Sequence, residues 1–274
     1  MRIARFAVPG ADPRFAVVEG VAADGGTDDA VLVVLEGDPL YRPVQPTGER
    51  VPLSDARLLA PVIPRSKVVG IGRNYAEHAA ELGNAVPAEP LLFLKPNTAV
   101  IGPGQAVVLP AESDEVHHEA ELAVVIGRLC KDVPHERVAD VVFGYTAADD
   151  VTARDLQRRD GQWARAKGFD TFCPLGPWIR TDLDPGDCTV VCRVDGQVRQ
   201  HGHTSRLVHS VPALVAYLSR VFTLLPGDVI LTGTPAGVGP LTSGATVEIE
   251  ISGLGTLVHG VSAEGGHDRE RARP

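Results

Sequence analysis

Positive charge is the scarcer sign in this 274-residue chain: 26 Lys and Arg stand against 35 Asp and Glu, a formal net charge of −9. General nucleic-acid binding needs a basic face to meet phosphates, and no basic patch with interleaved aromatics offers one. Long apolar runs are also lacking, and no window approaches the roughly 20 residues of a membrane span. The opening segment MRIARFAVPGADPRF holds no continuous apolar core of signal-peptide length, so a cytoplasmic protein is expected. The four cysteines, Cys130, Cys173, Cys188 and Cys192, form no C-x-x-C motif. In a strand-like run Cys188 and Cys192 would lie roughly 13 Å apart, too far for one metal or a disulfide. Free thiols in a reducing compartment are the expectation. Common fingerprints are missing too. VVGIGRNY begins as G-x-G-x-x, but Tyr75 stands where the dinucleotide motif needs its third glycine. No P-loop occurs, and no serine sits in a G-x-S-x-G elbow.

What is present describes a globular chain rich in strands and turns. Apolar residues make up 44%, charged residues 22%, and there are 29 Gly and 22 Pro. The length suits one large domain, or a main domain with a small one. Residues 1 to about 35 alternate short apolar runs with Gly/Asp turns, as a small β unit would. Six prolines from Gly37 to Pro64 inclusive then suggest an extended connector. Beyond it KVVGIG and LLFLKP read as buried strands, and GDVILTGTP as a turn followed by another. Helical patterns are few: NYAEHAAELG stopped by Gly83, DVTARDLQRRDGQWARA, and VPALVAYLSRVFTL with a 3.6-residue apolar period from Val211 to Leu224. The tail, residues 263–274, is polar. No internal repeat is evident. The expected class is α+β and β-rich, with a sheet rolled around a site.

The segment HHEAELAVVIG places Glu119 and Glu121 two apart at the start of an apolar run. In a strand they share one side, with Cα atoms roughly 6.5 Å apart, while Ala120, Leu122, Val124 and Ile126 cover the other. A solvated face would account for the pair; so would a cation held between two carboxylates. In AADDVTARDLQ, a helix beginning near Asp150 would stack Asp150, Arg154 and Gln157 on one face, with Asp149 as N-cap. An intrahelical ion pair is the plainer reading. Glu119, Glu121 and Asp150 together offer three hard oxygen donors, which suit Mg²⁺ or Mn²⁺ better than zinc. His78 and Glu81, three apart in a helical pattern, would be neighbours: either a surface ion pair, or an imidazole held by a carboxylate to activate water. Lys167 in RAKGFD is by itself an ordinary lysine. His201, His203, His209, His259 and His267 fit no constellation.

In this order GRNYAEH, LLFLKPNTAVIGPG, HHEAELAVVIG, GYTAADDVTARDLQ, AKGFDTFCPLGPWI and LTGTPAGVGP resemble the fumarylacetoacetate hydrolase superfamily, especially its small bacterial members and the acylpyruvate hydrolases. The resemblance spans roughly residues 65–262, which it marks as the catalytic domain behind a 1–64 N-terminal β domain and connector. It implies a mixed β-roll with short helices, one divalent ion per subunit (Mg²⁺ or Mn²⁺), and a homodimer; from the charge balance and the lack of a long apolar run, no nucleic-acid or membrane partner is expected. The implied metal ligands are Glu119, Glu121 and Asp150. The implied catalytic groups are His78, Glu81 and Lys167, and the substrate-binding set is Arg73, Tyr75, Arg154, Gln157 and Thr234. The substrate implied is a 2-oxo acid. Hydrolysis of a C–C bond in a 2,4-dioxo acid of acylpyruvate or fumarylpyruvate type comes first. Oxaloacetate-type decarboxylation, or isomerisation of a 2-hydroxyhepta-2,4-diene-1,7-dioate-type intermediate of aromatic catabolism, is the alternative. A non-catalytic metal-binding protein is the remote one.

Overall fold

The computed structural model describes residues 1–22 and 25–264, so most of the polar tail and His267 lie outside the described residues. Five strands come first: β1 (Arg2–Ala7), β2 (Arg14–Glu19), β3 (Val31–Leu35), β4 (Pro46–Pro52) and β5 (Arg57–Leu59). The proline-rich stretch is thus not simply a connector: β4 pairs with β3 and β5 with β1. Pro46 and Pro52 are tolerated because they sit at the ends of an edge strand, where a missing N–H costs little.

Next come β6 (Val68–Gly72), helix α1 (Ala76–Glu81) and β7 (Leu91–Lys95). Three short strands follow, β8 (Val100–Ile101), β9 (Ala106–Leu109) and β10 (Val116–His118). The long pair β11 (Ala120–Ile126) and β12 (Val142–Asp149) leads into β13 (Thr152–Ala153) and helices α2 (Arg154–Asp160) and α3 (Ala164–Gly168). Then come β14 (Cys173–Arg180), β15 (Thr189–Val194), β16 (Gln197–His203) and helix α4 (Val211–Val221). The last strands are β17 (Val229–Leu231), β18 (Gly239–Pro240), β19 (Thr246–Ile251) and β20 (Gly255–Ala263).

A 12-stranded sheet runs β4-β3-β2-β1-β14-β12-β11-β17-β6-β7, with β5 added on β1 and β8 on β14. A five-stranded sheet, β16-β15-β19-β20-β9, and a three-stranded one, β13-β10-β18, complete the fold. Pairing is mixed: β17–β6, β14–β8 and β20–β9 are parallel, the other pairs antiparallel. The expected β-rich α+β architecture with short helices is what the chain adopts.

The main core lies between the large and five-stranded sheets. Leu122, Val124 and Ile126 of β11 meet Val190 and Cys192 of β15 and Val247 and Ile249 of β19 in one cluster. The opposite face of β11, Ala123 and Val125, packs with Ile3, Leu175 and Ile179. All seven residues of β11 are buried. Burial of each aliphatic side chain is worth about 1.5–3 kcal/mol relative to exposure. β11 is therefore a rigid central strand, and its N-terminal end carries the site. β7 differs from the buried strand expected of LLFLKP: it is the edge of the sheet, and Leu94 is 49% exposed.

Candidate active site

Glu119 is the single residue between β10 and β11, where the chain leaves one sheet and enters another. Glu121 is two residues further on, inside β11. Asp150 follows directly on β12, whose last residue Asp149 pairs with Ala120. The break and the strand end are bonded to each other: Asp150 N–H donates to Glu119 O at 2.9 Å. All three carboxylates are buried, with at most 4% exposure. One carboxylate oxygen from each lies within 4.8 Å of the others.

Asp150 is not on a helix. Helix α2 starts four residues later, because Thr152 and Ala153 pair as strand with His117 and Val116. Asp149 is not an N-cap either, and Ala153 holds that position. Asp150, Arg154 and Gln157 nevertheless line one cavity of about 300 Å³, together with Arg73, His78, Glu119, Glu121, Lys167 and Thr234.

Three cations meet two of the three carboxylates, Glu119 and Asp150, while Glu121 accepts Gly233 N–H at 2.6 Å. Lys167 Nζ donates to Glu119 Oε2 at 2.7 Å and Asp150 Oδ2 at 2.6 Å. Lys95 Nζ donates to Asp150 Oδ1 at 2.6 Å, and the Arg154 guanidinium to Glu119 Oε1. Arg154 also donates to Gln157 Oε1 at 3.0 Å, which fixes its fork. These contacts set the charges apart. Burial and then the neighbouring charges of Asp150 and Glu119 push the Glu121 carboxyl well above the usual range, against Lys167 and the Gly233 N–H. For Glu119 burial acts upward too, but Arg154, Lys167 and His78 outweigh it and its carboxyl sits below the usual range. Burial would lower Lys167, yet Asp150 and Glu119 hold it above an ordinary lysine.

His78 is 5% exposed and lies on α1. Its Nδ1 lies 3.1 Å from Glu81 Oε2, while Nε2 faces the cavity 3.9 Å from Glu119 Oε1. Glu81 stays behind the histidine, and its other oxygen accepts Gly237 N–H at 3.0 Å. Thr234 Oγ1 donates to Ala120 O at 2.9 Å and accepts from Gln200 Nε2 at 2.7 Å, which leaves it one free lone pair. Arg73 lines the mouth with its guanidinium 5.9 Å from the Trp163 ring. Tyr75 does not line the cavity. It caps α1 at 3% exposure and bridges Leu207, and burial followed by Glu121 raises its phenol.

Four participants escaped sequence reasoning, in which Asp149 figures only as an N-cap. Lys95 closes an apolar run, and a lone cation ending such a run was a signal available in LLFLKP. Asp149 and His259 form a pair directly behind Glu119, with His259 Nε2 2.9 Å from Asp149 Oδ2. His259 takes an inward position of β20 between Leu257 and Val261, an alternation that marked it as buried. Gln200, buried, accepts Ala120 N–H at 3.0 Å and had no local signal.

Residues 67–262 match the fumarylacetoacetate (FAA) hydrolase C-terminal family, and residues 1–61 match the Rv2993c-like N-terminal family. Protein Rv2993c of Mycobacterium tuberculosis is 51% identical over 97% of this chain and 99% of its own. A solved structure of 5-carboxymethyl-2-hydroxymuconate delta-isomerase from Mycobacterium smegmatis is 53% identical, with TM-score 0.88 over 96% of this chain and 100% of that one. The structure of fumarylpyruvate hydrolase from Pseudomonas aeruginosa, in complex with Mn²⁺ and pyruvate, is 36% identical, with TM-score 0.70 over 76% of this chain and 92% of that one. The chain belongs to the fumarylacetoacetate hydrolase family.

Proposed function

We propose that the protein hydrolyses a C–C bond in a 2,4-dioxo acid of the acylpyruvate type. The observation that carries this reading is His78, a buried imidazole with one nitrogen held by Glu81 and the other facing a cavity lined by carboxylates and cations. Enolisation alone needs no activated water; hydrolysis does.

The site's residues fit a divalent ion. Glu119, Glu121 and Asp150 crowd three buried oxygen donors within 4.8 Å, and no other His, Cys, Asp or Glu among the described residues joins them as a cluster. All-oxygen donors favour Mg²⁺ or Mn²⁺. Such an ion supplies Lewis acidity to the two adjacent oxygens of a 2-oxo acid.

The chain's own groups do the rest. Arg154, positioned by Gln157, and Lys167 balance the substrate's carboxylate and the negative charge that develops on its 2-oxo oxygen. His78 takes a proton from water at Nε2, and the water oxygen bonds to C4. The C3–C4 bond breaks, its electron pair moves into the enolate of the pyruvate fragment, and C4 leaves as a carboxylic acid. The proton taken up by His78 passes to C3, which gives pyruvate. Arg73 at the mouth, which has no carboxylate partner among the described residues, is a cation for the distal part of the substrate.

Isomerisation is the second reading, supported by the likeness to the M. smegmatis isomerase. Assay of acylpyruvates, oxaloacetate and hydroxymuconate-type diacids with Mg²⁺ and Mn²⁺ separates the two. Cleavage of an acylpyruvate supports hydrolysis, whereas turnover of only the diacids transfers the function to isomerisation. Glu119→Ala and Asp150→Ala are expected to abolish metal-dependent turnover; activity that survives EDTA and both substitutions would sink the metal assignment. We also propose a homodimer, to be read as twice 29.0 kDa in light scattering at micromolar concentration.

A further inference from the structure

Behind the carboxylate cluster lies a second acid–base pair that lends no atom to the cavity. Asp149 ends β12 of the large sheet, and His259 projects from β20 of the five-stranded sheet; both side chains are 0% exposed. Asp149 Oδ1 accepts the backbone N–H of Glu119 at 2.7 Å, and Oδ2 faces His259 Nε2 at 2.9 Å. The imidazole is held from its far side as well, with Nδ1 3.1 Å from Gly260 O.

Glu119 needs this bracket because it lies outside both β10 and β11, so ladder pairing does not fix it. Its carbonyl is bonded by Asp150 N–H and its own N–H by the Asp149 carboxylate. The dipeptide 149–150 therefore grips both backbone polar groups of Glu119. Removing the Asp149 carboxylate would strand a buried N–H; removing His259 would leave a buried carboxylate with the Glu119 N–H as its sole hydrogen-bond partner among the described residues. In either case Glu119 can relieve the misfit by shifting its backbone, and its carboxylate shifts with it.

We propose that His259 is a positioning residue for the metal centre: acting through Asp149, it fixes the backbone of Glu119 and hence the spacing of Glu119 against Glu121 and Asp150. The proposal rests on the metal reading given above. It ties the rigidity of the site to the packing of the five-stranded sheet on the large one, because the two partners come from different sheets.

The test is the affinity of the full chain for MnCl₂, measured by titration calorimetry without substrate. Groups that orient metal ligands typically change affinity about 10–100-fold when removed. His259→Leu is expected to weaken Mn²⁺ binding by that range. His259→Gln, whose amide nitrogen can reach the place of Nε2, is expected to restore it to within about threefold. Val261→Ala removes buried volume from the same strand and is expected to lower the melting temperature while leaving Mn²⁺ affinity unchanged. Should His259→Leu fail to fold, His259→Asn, one bond shorter than the glutamine, takes its place with the same expected loss. Mn²⁺ affinity within twofold of the parent in the leucine or asparagine variant overturns the proposal. So does an equal loss in Val261→Ala, which would reduce His259 to ordinary packing. A parent protein that binds no Mn²⁺ overturns the metal reading itself, a result distinct from either.

Discussion

His78 has one ring nitrogen engaged and the other directed into the cavity, and this asymmetry gives it a testable role. General-base assistance is worth roughly 10²–10⁴-fold in rate. His78→Ala is expected to lower kcat for acylpyruvate cleavage by that range with KM and Mn²⁺ affinity nearly unchanged, and Glu81→Ala to lower it less. Full cleavage by His78→Ala would remove the histidine from the reaction. The buried thiols make a different prediction, about pH. Burial pushes Cys173 up to about 12 and, with Asp184 and Asp187, Cys188 up to about 11. An unfolded cysteine ionises near pH ~8.5. The folded chain thus keeps protons that the unfolded chain releases, so this contribution is complete below pH ~8.5 and lost as pH rises towards the folded values. Stability should fall above pH ~8.5 by about 1.4 kcal/mol per pH unit for Cys173 alone. Urea midpoints at several alkaline pH values check it; Cys173→Ala should flatten the slope by one proton.

At the scale of elements, legibility followed local periodicity. The apolar repeat of VPALVAYLSRV marks α4, whose Val211, Leu214, Val215 and Leu218 are buried, and Gly83 ends the α1 region with φ 67°. The start of α2 lies beyond local pattern because its register is decided at long range: Thr152 and Ala153 pair with β10, some 35 residues earlier in the chain, and hold the backbone extended where a helix from Asp150 was expected. The carboxylate trio was legible because E-x-E and D-D are short patterns. That Lys95 meets Asp150 and His259 meets Asp149 was not legible, since a local pattern can mark LLFLKP or LVHGV as holding a buried polar residue but names no neighbour for it. The loop from β17 to β18 shows how elements share the site. It places Thr234 in the cavity and uses Gly237 N–H to hold Glu81, so α1 and this loop are fastened together. Gly237 has φ 100°, and a Cβ there would collide with the carbonyl oxygen of Arg199. Gly237→Ala should therefore cost on the order of 1–3 kcal/mol and release Glu81. The expected result is a lower melting temperature and a kcat loss resembling that of Glu81→Ala; unchanged values of both would show that the loop does not support the His78–Glu81 pair.

For the whole molecule, composition and strand texture were enough to indicate a β-rich chain, but not how its first 60 residues would attach. Their strands do not form a sheet of their own. β1 pairs with β14 through Arg2↔Arg180 and Ile3↔Ile179, which extends the large sheet by β1 to β5. The attachment is also apolar. Trp178 of β14 sits in a cluster otherwise made of Ala4, Phe6, Ala16, Val18, Ala30, Leu32 and Val34, and Ile179 packs with Ile3 and Leu35. Removing residues 1–61 would open the hydrogen-bonding edge of β14 where β1 now lies and bare Trp178, which is 3% exposed, and Ile179, at 1%. Each such side chain forfeits about 1.5–3 kcal/mol of burial, a large fraction of the 5–15 kcal/mol that keeps a domain folded. An uncovered apolar strand edge is in addition a template for pairing with other chains. A chain beginning at residue 62 should therefore melt well below the parent and form aggregates, although it retains every residue assigned to the site. Light scattering and thermal unfolding of that truncated chain decide the point. A soluble product with the parent's melting temperature and Mn²⁺ affinity would mean that residues 62–264 stand alone and that the N-terminal strands serve some purpose other than holding the large sheet together.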